Sequence, residues 1–82
     1  MTEIKKGTVI IAKDVVTENI YSFKVVVERL DKDYFRLVNI NSNMIMSEFK
    51  SEKQDELIDY IKNLGYGSKI TKILNENLLW RK

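Results

Sequence analysis

The side chains that could do chemistry in this chain are carboxylates, amines and hydroxyls, because its 82 residues include no histidine and no cysteine. Histidine is the one side chain whose unperturbed pKa lies near neutrality. With cysteine it supplies most nucleophilic dyads and transition-metal ligands. Triads, Cys-His pairs and thiolate zinc sites are therefore excluded. Four acids stand closest in sequence, Glu52, Asp55, Glu56 and Asp59. Carboxylates at i and i+4 on a helix could hold a divalent cation or mimic nucleic-acid phosphates to a basic partner. The simpler reading is a solvated helix face whose acids complement the helix dipole, and it is preferred. Gly65-Tyr66-Gly67 is no phosphate loop, because it follows a helix instead of opening one. The sequence offers no constellation for an enzyme, and it is read as non-enzymatic, with no metal and no small-molecule cofactor.

The cations form the second group. Lys69, Lys72, Trp80, Arg81 and Lys82 make a basic C-terminal end, with Lys24, Arg36 and the tyrosines Tyr21, Tyr34 and Tyr66 elsewhere. A sheet carrying cations and exposed rings can bind single-stranded nucleic acid through phosphate contacts and base stacking. The net charge of +2 is too small to imply nucleic acid by itself. This reading, weak and largely sequence-independent, with Lys24, Arg36, Lys69, Lys72, Trp80 and Arg81 as its contacts, stands as the alternative. On the simpler view Trp80 seals a core edge and the lysines keep the chain in solution.

These groups must be positioned by a small scaffold. Ser51 to Gly65 reads S-E-K-Q-D-E-L-I-D-Y-I-K-N-L-G. The spacing predicts a helix over 51–64, with Ser51 and Gln54 as a capping box and Leu57, Ile58, Ile61 and Leu64 as its apolar stripe. Gly65 would end it in a left-handed conformation, with Tyr66 folding back onto Ile61. Four polar triplets flanked by apolar residues recur at Thr17–Asn19, Asp31–Asp33, Asn41–Asn43 and Asn75–Asn77. Each ends in Asn or Asp, the residues that best tolerate positive φ after glycine, as a three-residue hairpin loop requires.

Taking the first three as hairpins predicts a four-stranded antiparallel meander over about 8–49. Thr8, Glu28, Arg36 and Glu48 then lie in one cross-strand row of alternating charge. Val9, Ile11, Val25, Val27, Phe35, Leu37, Ile45 and Phe49 form the more apolar face, assigned to the helix. A two-layer α+β sandwich follows, as a single small domain over 1–82. Residues 69–81 are read as a C-terminal β-hairpin about Asn75-Glu76-Asn77, with a second helix through Ile70, Ile73, Leu74 and Leu78 as the alternative.

The opposite sheet face then carries Ile10, Val26, Val38, Ile40, Met44 and Met46, an apolar patch of a kind rarely left in water. Either the chain's own tail covers it or a partner does. The leading expectation is an interaction module that binds a protein through this face or a sheet edge, a second copy in a homodimer included. The hydrophobic share of 44% and charged share of 32% are those of a soluble chain, with no membrane-spanning run and no signal-peptide core. A cytoplasmic location is the default without cysteine. Richness in Lys, Ile and Asn suggests a low-GC bacterium or its phage.

Overall fold

Strands and helix follow one another as β1 (Val9–Asp14), β2 (Ile20–Arg29), β3 (Asp33–Asn39), β4 (Met44–Ile45), α1 (Gln54–Lys62) and β5 (Ser68–Leu74). The computed structural model describes residues 4–46 and 49–74. The strands form one antiparallel sheet in the order β4-β3-β2-β1-β5, and α1 packs on one of its faces. The α+β class and the antiparallel meander of the first four strands are as expected. The last strand continues past that meander and lies beside the first. Residues 68–74 are strand, not helix, and the turn and second arm expected beyond them lie outside the described residues.

All three hairpin registers differ from the triplet-loop expectation. Val9 stands opposite Lys24 in place of Val27, a slip of three. The cause is Asp14, whose Oδ1 accepts the amides of Val16 (2.7 Å) and Thr17 (2.9 Å). That turn starts the loop at Val15, and Glu18, not Asn19, takes the positive φ of 65°. At the third hairpin Asn39 Oδ1 accepts the amides of Asn41 and Ser42, so the chain turns one residue early. Val38 then meets Ile45 in place of Met46, while Asn43 has the expected left-handed conformation at φ 60°. The middle hairpin slips by two, Glu28 facing Tyr34, and closes on an exposed Arg29–Asp33 ion pair of 3.2 Å.

Odd slips exchange the two faces of a strand; an even slip does not. Strands β2 and β3 therefore keep their expected inward residues, and Val25 and Leu37 are fully buried. Strand β1 is turned over. Ile10 and Ala12, not Val9 and Ile11, point to the helix and are fully buried with Phe23. Met46 likewise packs against this core, and Ile45 faces outward.

The helix is shorter than the 51–64 expected, because its first turn is not capped as a box. Ser51 Oγ donates to the Glu56 carboxylate and accepts the Lys53 amide. Gln54 Oε1 reaches back to accept the Ile4 amide at 3.2 Å. Ser51 also bridges Phe35 on the β3 edge, so the segment before α1 is held to the sheet. Leu57 and Ile61 of the stripe are fully buried, and Ile58 and Leu64 pack around them. Each such side chain contributes about 1.5–3 kcal/mol. Gly65 has φ 60°, as a helix terminator should. Tyr66, however, is 73% exposed and does not fold onto Ile61.

Candidate interaction face

The face of the sheet away from α1 is read off the ladder. One row crosses all five strands as Ile45, Val38, Lys24, Val9 and Leu74. Beside it run Ser22, Ile11 and Lys72, and then Ile20, Lys13 and Lys69. Ile40 joins the second row, its amide bonded to the Ser22 carbonyl at 3.0 Å. On the other side Val26 pairs with Arg36 and Glu28 with Tyr34. Among the described residues no helix or strand lies over this face. Ile20, Ile40 and Ile45 are exposed, whereas Val9 is buried within its row.

Of the six residues expected to form a partner surface, Val26, Val38 and Ile40 are on this face. Ile10 and Met46 are not; the turned-over β1 and the early third turn place both on the helix side. Met44 pairs with Asn39, on the helix-side alternation at the sheet edge, and is 65% exposed. The face gains Val9, Ile11, Ile20, Ile45 and Leu74, residues that the expected registers buried or left out. The signal for the first correction was local: Asp14 followed by V-V-T can bond its own turn amides.

The nucleic-acid candidates Lys24, Lys69 and Lys72 also lie on this face. Arg36 does too, but its guanidinium is committed. Nη1 meets Glu28 Oε1 at 2.6 Å and Nε donates to the Phe49 carbonyl at 2.8 Å. Its side chain is 16% exposed, leaving little to offer a phosphate. Tyr34 is the one aromatic ring on this face among the described residues. Its hydroxyl donates to Asp31 at 3.0 Å, which raises its pKa, and Lys50 Nζ stands 5.0 Å from its ring centre. Trp80 and Arg81, with Ser47 and Glu48, lie outside the described residues.

The acidic helix face does not assemble a cation site. Glu56 is held by Ser51 and Glu52 by Lys32 at 3.6 Å. No three acidic side chains among the described residues converge on one point. A hollow of about 310 Å³ opens between Ile4–Lys6, the β2–β3 end and Glu52. Its Lys5, Lys6, Asp33 and Glu52 are of mixed sign, and nothing in it pairs a nucleophile with a base.

Asp14 is the functional-looking residue that the sequence reading passed over. Its residue is 1% exposed, and its carboxylate accepts three amides, from Val16, Thr17 and, through Oδ2, Tyr66 at 3.0 Å. The Thr17 amide first, then that of Tyr66, holds its carboxyl below the usual aspartate range despite burial. Every oxygen is satisfied by the fold itself, so its role is structural. Among the described residues no helix is long and apolar enough to cross a membrane. No protein-family profile, curated protein or solved structure matches this chain.

Proposed function

We propose that this protein is a non-enzymatic interaction module that binds another protein, a second copy included, through the sheet face opposite α1. One observation carries the reading. The aliphatic row Ile45, Val38, Val9 and Leu74, flanked by Ile11, Ile20 and Ile40, has no covering element among the described residues. An aliphatic surface of that kind, interrupted in its central row by Lys24, is characteristic of docking sites. The nucleic-acid alternative draws on the same lysines but is less well supported. Its cations are interleaved with aliphatic side chains instead of stacking rings, and Arg36 is occupied within the fold.

The test is a photo-crosslinking residue placed at Ile45, with a control at Lys62 on the helix, in cells that naturally express the chain. Ile45 is expected to yield one saturable protein adduct, suppressed by excess unlabelled chain and lost in a Val38→Glu background. Sedimentation of the pure protein reports whether the adduct is a second copy. No adduct from Ile45 beyond the Lys62 control, with a strictly monomeric sedimentation profile, overturns the reading.

A further inference from the structure

Resting on that reading of the outer face, we infer that its occupant is an acidic, aliphatic segment of a different protein, whose carboxylates are taken by Lys13, Lys69 and Lys72. The β1–β5 ladder sets Lys13 directly opposite Lys69, and both are exposed. Like charges directly opposite one another destabilise an antiparallel pair. A sheet selected only to fold would place an acid at one of the two positions. Lys72 lies on the same face, opposite Ile11, one row along from Lys13. None of the three lysines is in an ion pair with another described residue.

The surroundings define what would fit. Lys13 and Lys69 flank a hollow of about 270 Å³ whose acids are Asp14 and Glu18. Asp14 is committed to its three amides. Among the described residues Glu18, in the turn, is therefore the only acid of the hollow left to offset the lysines. Aliphatic side chains alternate with the cations: Ile20 opposite Lys13, Ile11 opposite Lys72, and Val9 opposite Lys24. An extended segment whose sheet-facing positions, i, i+2 and i+4, carry acids and branched aliphatic residues in turn matches this mosaic in both charge and pattern.

A second copy matches poorly. A two-fold contact sets the same patch against itself and would bring six lysines together, three from each chain. The acidic helix face of another copy would complement the charge, but that head-to-tail contact does not close and leads to filaments. Single-stranded nucleic acid would neutralise the lysines, yet the one ring on this face among the described residues, Tyr34, is already engaged by Asp31 and Lys50.

The test uses two soluble strand-forming peptides, one carrying Glu and Ile or Val in turn along one face (positions i, i+2, i+4) with Thr along the other, the second with Lys in place of Glu. Each is titrated by fluorescence anisotropy into the wild-type chain, Lys72→Ala and Lys13→Glu/Lys69→Glu, with circular dichroism confirming the fold of each. The acidic peptide is expected to bind wild type at least tenfold more tightly than the basic one, and less tightly as salt rises. The double variant is expected to reverse that preference, and Lys72→Ala to weaken the acidic peptide severalfold. Equal binding of both peptides, or binding of neither, overturns the inference. So does displacement of the acidic peptide by an oligo-dT strand with the same lysine dependence. Salt-sensitive self-assembly abolished by Lys13→Glu/Lys69→Glu also overturns it, by making the occupant a second copy. That last result leaves the proposed docking face standing, whereas absence of the Ile45 adduct removes the face itself.

Discussion

The Tyr66 amide donates to Asp14 Oδ2 across 3.0 Å, joining residues 52 apart in the chain. The same carboxylate holds the β1–β2 turn through Val16 and Thr17, so one side chain ties the end of β1 to the exit of α1. The Val15 amide adds a parallel tie to the Gly67 carbonyl at 2.9 Å. Folding favours the ionised form of Asp14, so its contribution is whole above the unfolded aspartate pKa of about 4. It is lost as pH falls through the lower folded value. Asp14→Asn is expected to lower the urea midpoint at neutral pH. The gap from wild type should close below about pH 4. A gap independent of pH would place the role of Asp14 elsewhere.

Gly65 stands where the chain leaves α1 at φ 60°, with Asp14 and the Tyr21 hydroxyl pressed against it. A Cβ there would overlap Asp14 Oδ2 and come 2.9 Å from the Tyr21 oxygen. Gly65→Ala should cost about 1–2 kcal/mol from the left-handed backbone alone, with displacement of the carboxylate in addition. Gly67→Ala, whose Cβ would meet only Val15 at 3.8 Å, should lose less despite φ 105°. Paired thermal melts of the two variants check the order.

Lys69→Glu should stabilise the fold and weaken docking at once. It replaces a like-charge pair opposite Lys13 by an ion pair, a gain of about 0.2–1 kcal/mol with the lower part expected at this exposed edge. Acidic-peptide affinity should fall in the same variant. A urea midpoint that does not rise at low salt would contradict the inferred repulsion.

The two sheet faces should respond in opposite ways to substitution. Leu57→Ala or Ile61→Ala on the helix side should cost about 2–5 kcal/mol, because both side chains are fully buried. Ile45→Glu on the other side, at 55% exposure, should change stability by less than about 0.5 kcal/mol. Its effect is expected in docking. Chemical denaturation of the three variants separates the roles.

Arg36→Ala should destabilise by about 1.5–3 kcal/mol, since it strips charged hydrogen bonds from Glu28 and the Phe49 carbonyl. Arg36→Lys should restore little, because an ammonium cannot reproduce the guanidinium fork. Denaturation midpoints decide between these outcomes.

The helix stripe, its glycine stop and the strands themselves were legible because each is written in local spacing. Leu57 and Ile61 recur at helical period, and Asn43 needed only its own tolerance of positive φ. What the residue pattern alone did not give was where each turn begins. Two short acceptors, Asp14 and Asn39, draw nearby amides onto themselves and start their loops two and one residues early, respectively. The resulting register slips, three and one, were both odd, so β1 was turned over and Met46 exchanged places with Ile45. The charge row suffered less: Arg36 is long enough to reach Glu28 from one pair further along. The Lys13–Lys69 juxtaposition was invisible, because it depends on β5 lying beside β1, a pairing no local pattern announces.

That pairing also sets a timetable for synthesis. The Thr71 hydroxyl donates to the Ile11 carbonyl from 60 residues downstream, and Ser68 meets Asp14 in the same ladder. Until β5 has left the ribosome, the free side of β1 is an open row of amides and carbonyls next to exposed isoleucines. The nascent chain is thus most vulnerable to unwanted partners just before its sheet is completed.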